Sequence, residues 1–426
     1  MTTISSRPVD TRPPTVQTGP TAWMKKHLFN TWYNTILTVV IVAVLAAVVW
    51  GLVTWAVGIA QWAVIANNLG LFMTGLYPRE SYWRAWSMLG VVVALGGFTW
   101  GVLARHQSTL FGRNVLIGIG VLCALFIVLP FLPLTEVAAE AEAAAEAAGA
   151  ASFPTAGLKL VGMVALACAT AFAGRELGRQ IKWVPRSLTF AWFASYFVLL
   201  WLLGGGLGLE SVRTTSWGGM TLTLLLAITG ISLCFPIGVA LALGRRSDLP
   251  VVKGLSTAYI ELVRGVPLIS ILFMGQVLIP LFLPEGVRPN SILRAVIGLT
   301  IFSAAYLAEN VRAGLQAVPR GQYEAAASMG MNKPLTIALI ILPQASKTAI
   351  PAIVGQFISL FQDTTLLGIV GLVELLGISN SILANPTYLG DYAEVYLFIA
   401  VLYWVFCYAM SLGSRRIEES LNTGYR

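Results

Sequence analysis

The sequence carries little charge and almost no histidine. Of its 426 residues only 11 % are Asp, Glu, Lys or Arg, against roughly 25 % in a soluble domain. Two histidines, His27 and His106, stand beside basic residues, and four cysteines (Cys123, Cys168, Cys234, Cys407) lie inside apolar runs. Cysteines so placed read as small buried hydrophobes, and no disulfide or metal framework is offered. No cluster of His, Cys and carboxylate suggests metal or nucleophilic catalysis. Gly-x-x-x-x-Gly-Lys-Ser/Thr, the loop that cradles nucleotide phosphates, does not occur either. The chain is therefore not expected to be an enzyme, and not to hydrolyse ATP unaided.

What the sequence does have is apolar length. Hydrophobic residues make up 57 % of the chain and the mean hydropathy is +0.78. They fall in runs of about 20 residues, the length that spans a bilayer core. This predicts an all-α polytopic membrane protein; a β-barrel would need short alternating segments. Spans are expected at about 34–60, 86–104, 114–134, 156–174, 187–207, 218–243, 262–284, 293–316, 349–373 and 393–413, about ten in all. The first run is too long for a signal-peptide core and lacks a convincing cleavage site, so it is expected to remain as an anchor. Residues 1–30 read as a flexible cytoplasmic tail. Residues 61–85, with Trp62, Tyr82 and Trp83, read as an interfacial segment.

The net charge is +8. Its basic residues cluster in short loops, so the excess reads as membrane topology and not as a nucleic-acid surface. Loops placed inside hold Arg105 and Arg113, then Arg175, Arg179 and Lys182, then Arg245, Arg246 and Lys253, and finally Arg320, Lys333, Arg415 and Arg416. Arg79, Arg84, Arg288 and Arg294 are exceptions on the outside. The bias puts both termini in the cytoplasm. An outer loop, Thr135 to Ala151, is rich in Ala and Glu and favours a short helix.

The same count places residues 317–348 inside. There the sequence reads Glu324-Ala325-Ala326, three residues, Gly330, nine residues, then Ile340-x-Leu342-Pro343. Pro319 and Gly321 are expected to break the preceding helix. Residues 323–327 favour a helix of one to two turns, Gly330 can end it in the left-handed conformation, and Lys333-Pro334 can start the next. A small-residue face of Ala325, Ala326 and Ser328 would let another surface approach closely, with Glu324 as a fixed charge.

Polar residues inside the spans form a second group. Gln356, Gln362, Asp363, Glu309 and Asn310 all fall there. A charge at membrane depth is costly and normally faces a protein interior or a water cavity. Gln356 and Asp363 share a helix face with Ser359. Two readings stay open: a polar stripe that meets the amino group of a substrate, or a hydrogen-bond network that packs the bundle. Arg264 sits where a span begins, so it either snorkels or pairs with Glu261 one turn earlier.

The spacing from Glu324 to Pro343 resembles the EAA loop of ABC-importer permeases. Tyr259-Ile260-Glu261-Leu262-Val263-Arg264-Gly265-Val266-Pro267-Leu268, Ala308 to Gly314, and Asp363-Thr364-Thr365-Leu366 resemble stretches of the permeases for polar amino acids, with Val266 where Thr is frequent. The likeness covers about residues 215–420. The added helices before it resemble the longer permease subunit of general L-amino acid systems. This implies an N-terminal extension over 31–210 and a five-helix permease core over 211–420, with a coupling segment at 319–345. It implies docking of Glu324, Ala325, Ala326, Gly330 and Pro343 on a separate ATPase. Two such nucleotide-binding subunits would hold ATP and Mg, with no cofactor in this chain. Also implied are a second, homologous permease subunit, an extracytoplasmic amino-acid-binding protein, an amino acid as substrate and a place in the bacterial inner membrane. Asp363, Thr364, Gln356, Gln362, Glu309, Asn310, Glu261 and Arg264 are the candidates for the substrate path. The rival is a secondary transporter or channel without ATPase subunits, which predicts inverted repeats; no clear repeat is seen.

Overall fold

The computed structural model describes residues 19–107, 109–128, 153–284, 286–287 and 289–422. The Ala/Glu-rich loop at 135–151 lies outside them. Among the described residues the regular structure is helical, with two isolated bridges and no strand. Among the described residues, eight helices are long and apolar enough to cross a membrane, or nine if one bent pair counts as a single span.

Residues 1–60 form one unit and residues 61–426 another. In the first, helix α1 (Pro20–His27) lies within the stretch read as tail. Helix α2 (Trp32–Gly58) has no buried residue. A helix apolar on every side suits lipid, not water. Its first turns are tied down by the Thr38 hydroxyl, which donates to Leu28 O at 3.0 Å.

The second unit begins with a departure from expectation. Residues 63–74 are helix α3 (Ala63–Thr74), and Val64, Leu69 and Phe72 on it are fully buried. The segment is core, not interface. Phe72 packs on Phe398, ring centroids 5.1 Å apart, and Gln61 N donates to the Glu394 carboxylate at 2.9 Å. Aromatic content alone could not separate these two settings.

Helices α4 (Tyr82–Leu103), α5 (Arg113–Val128), α6 (Phe153–Gln180) and α7 (Val184–Gly204) follow. α4 and α6 touch backbone to backbone. A Cβ placed on Gly101 would lie 1.9 Å from Ala171 O, so only glycine fits. Arg84, an exception to the charge rule, is buried on α4. Its guanidinium donates to Leu202 O at 2.7 Å and Glu210 O at 2.9 Å. It therefore satisfies a carbonyl in the last turn of α7 and another in the loop that follows. Arg294 is likewise turned inward, donating to Gln276 O and, at 3.2 Å, to Ser291 Oγ.

The remaining helices are α8 (Gly219–Arg245), α9 (Pro250–Arg264), α10 (Leu268–Phe282), α11 (Ser291–Ala317), α12 (Arg320–Ser328), α13 (Lys333–Thr336), α14 (Leu342–Asp363), α15 (Leu375–Leu383) and α16 (Tyr392–Asn422). α8, α11 and α14 pack as the centre, with residues 219–230 of α8 buried throughout. The span expected at 262–284 starts later. α9 and α10 meet at 104° across Gly265-Val266-Pro267, because Pro267 has no N–H to continue the helix. α9 is a separate amphipathic helix, with Leu255 and Leu262 exposed and Ile260 buried.

Candidate functional site

The segment expected to couple holds a short helix between two spans. α11 ends at Ala317 and Pro319 is the N-cap of α12. Gly321, expected to break a helix, lies inside α12. Gly330 has φ +74°. Its N–H donates to Ala327 O at 3.0 Å, and Met331 N–H to Ala326 O at 3.1 Å, which ends the helix in a left-handed turn. Asn332 caps the next helix by accepting from Leu335 N at 3.0 Å. Between α13 and α14 the chain takes a π turn, Ile337–Ile341. Pro343 cannot donate to residue 339 and would clash with its carbonyl, and the wider turn absorbs that defect.

Three contacts hold α12 and its flank. The Arg246 guanidinium lies over the Tyr323 ring at 5.8 Å, Gln344 Nε2 donates to Gln322 Oε1 at 3.2 Å, and Lys333 pairs with Asp248 across 85 residues of sequence. The Lys333 hydrogen bond holds the Asp248 carboxyl below its usual range. Glu324, Ala325 and Ser328 are exposed. Ala326 is not: it is 1 % exposed and faces its own chain. The outward small-residue face is thus Ala325, Ala327 and Ser328, one residue different from the expected set.

Beside this segment, five charges gather at the ends of α8, α9 and α11. Glu309 accepts from Arg245 Nη1 at 2.6 Å and from Arg312 at 2.7 and 2.9 Å, with Arg264 at 3.7 Å. Arg245 Nη2 also donates to Glu261 at 2.8 Å. Arg264 lies 5.4 Å over the Tyr306 ring. The expected Glu261–Arg264 pair is not made; each turns to another helix. Asn310 Nδ2 donates to Ala352 O at 3.1 Å, tying α11 to α14. Arg245 was read only as a topology charge. Nothing local in the sequence signals its pairing, since its partners are 16 and 64 residues away. Arg312 stands three residues after Glu309, a spacing that sequence does signal.

The second group is set apart on α14. Thr364 is fully buried and its hydroxyl donates to Phe361 O at 2.6 Å. Gln362 is exposed and donates to Cys407 Sγ at 3.7 Å. Gln356 and Asp363 are half-buried, one above the other on the helix, and make no hydrogen bond or ion pair with other described residues. Asp363 stands where α14 tightens into a 3-10 turn over Thr364–Val370, inside one continuous helical run. The eight path candidates therefore split: Glu261, Arg264, Glu309 and Asn310 are engaged within the chain, while Gln356 and Asp363 are left free. Sequence reasoning missed Glu374. Fully buried, it caps α15 by accepting from Leu376 N at 2.8 Å and Gly377 N at 3.0 Å. An acid before an apolar helix start is the signal that could have found it.

Among the described residues, no group of three or more His, Cys, Asp or Glu could hold a metal ion. The family of binding-protein-dependent transport system inner membrane components matches residues 234–422. The chain is 34 % identical over 420 residues to the inner membrane amino-acid ABC transporter permease protein YhdY of Escherichia coli, covering 94 % of this chain and 93 % of that one. It is 35 % identical to the glutamate/glutamine/aspartate/asparagine transport system permease protein BztC of Rhodobacter capsulatus, covering 97 % and 96 %. The probable glutamine ABC transporter permease protein GlnP of Bacillus subtilis is 35 % identical, and 47 % of this chain covers 91 % of it. With full-length likeness at that level and the family's core over its second half, this chain belongs to the inner-membrane permeases of binding-protein-dependent ABC transporters.

Proposed function

We propose that this chain is the permease subunit of an ATP-driven importer of polar amino acids. The carrying observation is α12: a short exposed helix between two spans, held to its neighbours by Tyr323 and Gln322, with Glu324 and Ala325 turned away from the chain. Such a helix fits a groove on a separate nucleotide-binding subunit, two of which bind ATP and Mg and do the hydrolysis. The permease itself makes and breaks no covalent bond. Closure of the two subunits moves α12, and the motion passes into α14 through the unbroken run of α13, the π turn and Leu342.

The substrate meets α14. Asp363 supplies a carboxylate for the α-amino group that every amino acid carries, and Gln356 a neutral amide on the same face. The names of the long relatives support this class of cargo. A second, homologous permease completes the path, because a five-helix core is narrow for one. An extracytoplasmic binding protein delivers the substrate, and both termini face the cytoplasm.

The test is co-purification with candidate ATPase subunits and uptake into vesicles. Glu324→Arg should abolish ATPase binding and uptake while the chain stays folded. Full binding and uptake by that variant would sink the coupling role of α12.

A further inference from the structure

The cleft between the N-terminal halves of α4 and α6 has a shape and charge that the transport reading does not use. It holds about 450 Å³ and is bounded by Trp83, Trp86, Ser87 and Gly90 on one helix and by Lys159 and Gly162 on the other. It is an open trough between the helices and not an enclosed pocket. The two helices run side by side. At Gly101 they touch backbone to backbone, so the space between them closes at one end and opens at the other.

Lys159 gives the cleft its chemistry. It stands near the start of a membrane-spanning helix, where a cation is costly without a partner or a route to water. Its ammonium is exposed and lies 5.1 Å over the Trp86 ring. No carboxylate among the described residues pairs with it. Ser87 adds an exposed hydroxyl one residue on. Trp83, also exposed, marks the level at which aromatic rings meet lipid headgroups. Below the cation the cleft is apolar and shallow-walled: a Cβ on Gly162 would meet nothing within 4 Å.

We propose that this cleft binds one anionic phospholipid. The phosphate sits on Lys159 and Ser87, and an acyl chain lies in the trough past Gly90 and Gly162. An amphiphile with one negative end and one apolar end matches both halves of the site, which neither a soluble anion nor a bare hydrocarbon does. The inference needs only that α4 and α6 lie in a bilayer, so it stands apart from the direction and cargo of transport.

The test uses the full chain reconstituted in vesicles of equal phosphatidylglycerol and phosphatidylcholine, extracted mildly and weighed by native mass spectrometry. The chain should retain one phosphatidylglycerol. Lys159→Arg should keep it, and Lys159→Gln should lose it. Gly162→Trp, at a position where an added Cβ meets nothing within 4 Å, should lose it with the charge intact. Equal retention in Lys159→Gln and Gly162→Trp, or equal capture of phosphatidylcholine, overturns the proposal. So does efficient cross-linking of Lys159→Cys to the acidic stretch Glu136–Glu146, which would make that segment the occupant.

Discussion

Glu309 answers three arginines at once, and its side chain is 14 % exposed. The carboxylate ties α8, α9 and α11 together at one end. Glu309→Gln keeps the shape and removes the charge, leaving three guanidinium groups facing one another. A hydrogen bond to a charged group contributes about 1.5–3 kcal/mol, and partial exposure of the arginines lowers the effect. A fall of about 2 kcal/mol in stability, a few degrees in Tm, is expected by thermal unfolding in detergent. Asp363 is the opposite case, a half-buried acid with no hydrogen-bond or ion-pair partner among the described residues. Asp363→Asn should lower uptake roughly 10- to 100-fold, the worth of one charge-assisted hydrogen bond, with the complex still assembled. Unchanged uptake with a shifted Tm would assign Asp363 to packing.

At the scale of elements, the turn at Gly330 decides how α12 meets α14. A residue with a Cβ costs about 1–2 kcal/mol in the left-handed conformation. Gly330→Ala should therefore reduce substrate-stimulated ATP hydrolysis several-fold while ATPase subunits still bind, a split readable by comparing co-purification with turnover. Much of this segment was legible in the sequence, because glycine, Asn332 and Pro334 act locally. The π turn was not, since a 3.6-residue period hides an extra residue per turn until Pro343 demands one. Nor was the burial of Ala326, which depends on what lies behind α12. The division of α9 from α10 was signalled by Pro267, yet Leu262 and Leu268 flank it and made one apolar run of two helices.

At the scale of the whole molecule, the loop after α4 and the end of α16 meet at a lock near the C-terminus. Arg416 lies 3.5 Å over the Trp100 ring and donates to Leu110 O at 2.9 Å, while Gln107 donates to Glu419 at 3.0 Å. Loops that counting treated only as inside charges are thus a joint between α4 and α16. Arg416→Ala removes a cation–π contact and a hydrogen bond, about 1–3 kcal/mol together. It should expose the end of α16 to proteolysis sooner than the rest of the chain, as timed digestion would read. Arg84 and Arg294 teach the same lesson: charge counting cannot see which cations answer carbonyls inside the protein. The bend between α9 and α10 carries a further consequence. Two helix ends meet there, leaving backbone groups without helical partners, and Gly265 and Val266 are exposed. Hydrocarbon cannot solvate such groups. The corner is therefore expected to meet water or another protein surface and not lipid, and isotope exchange timed along the chain should tell the two apart, early at this bend in the first case and late in the second.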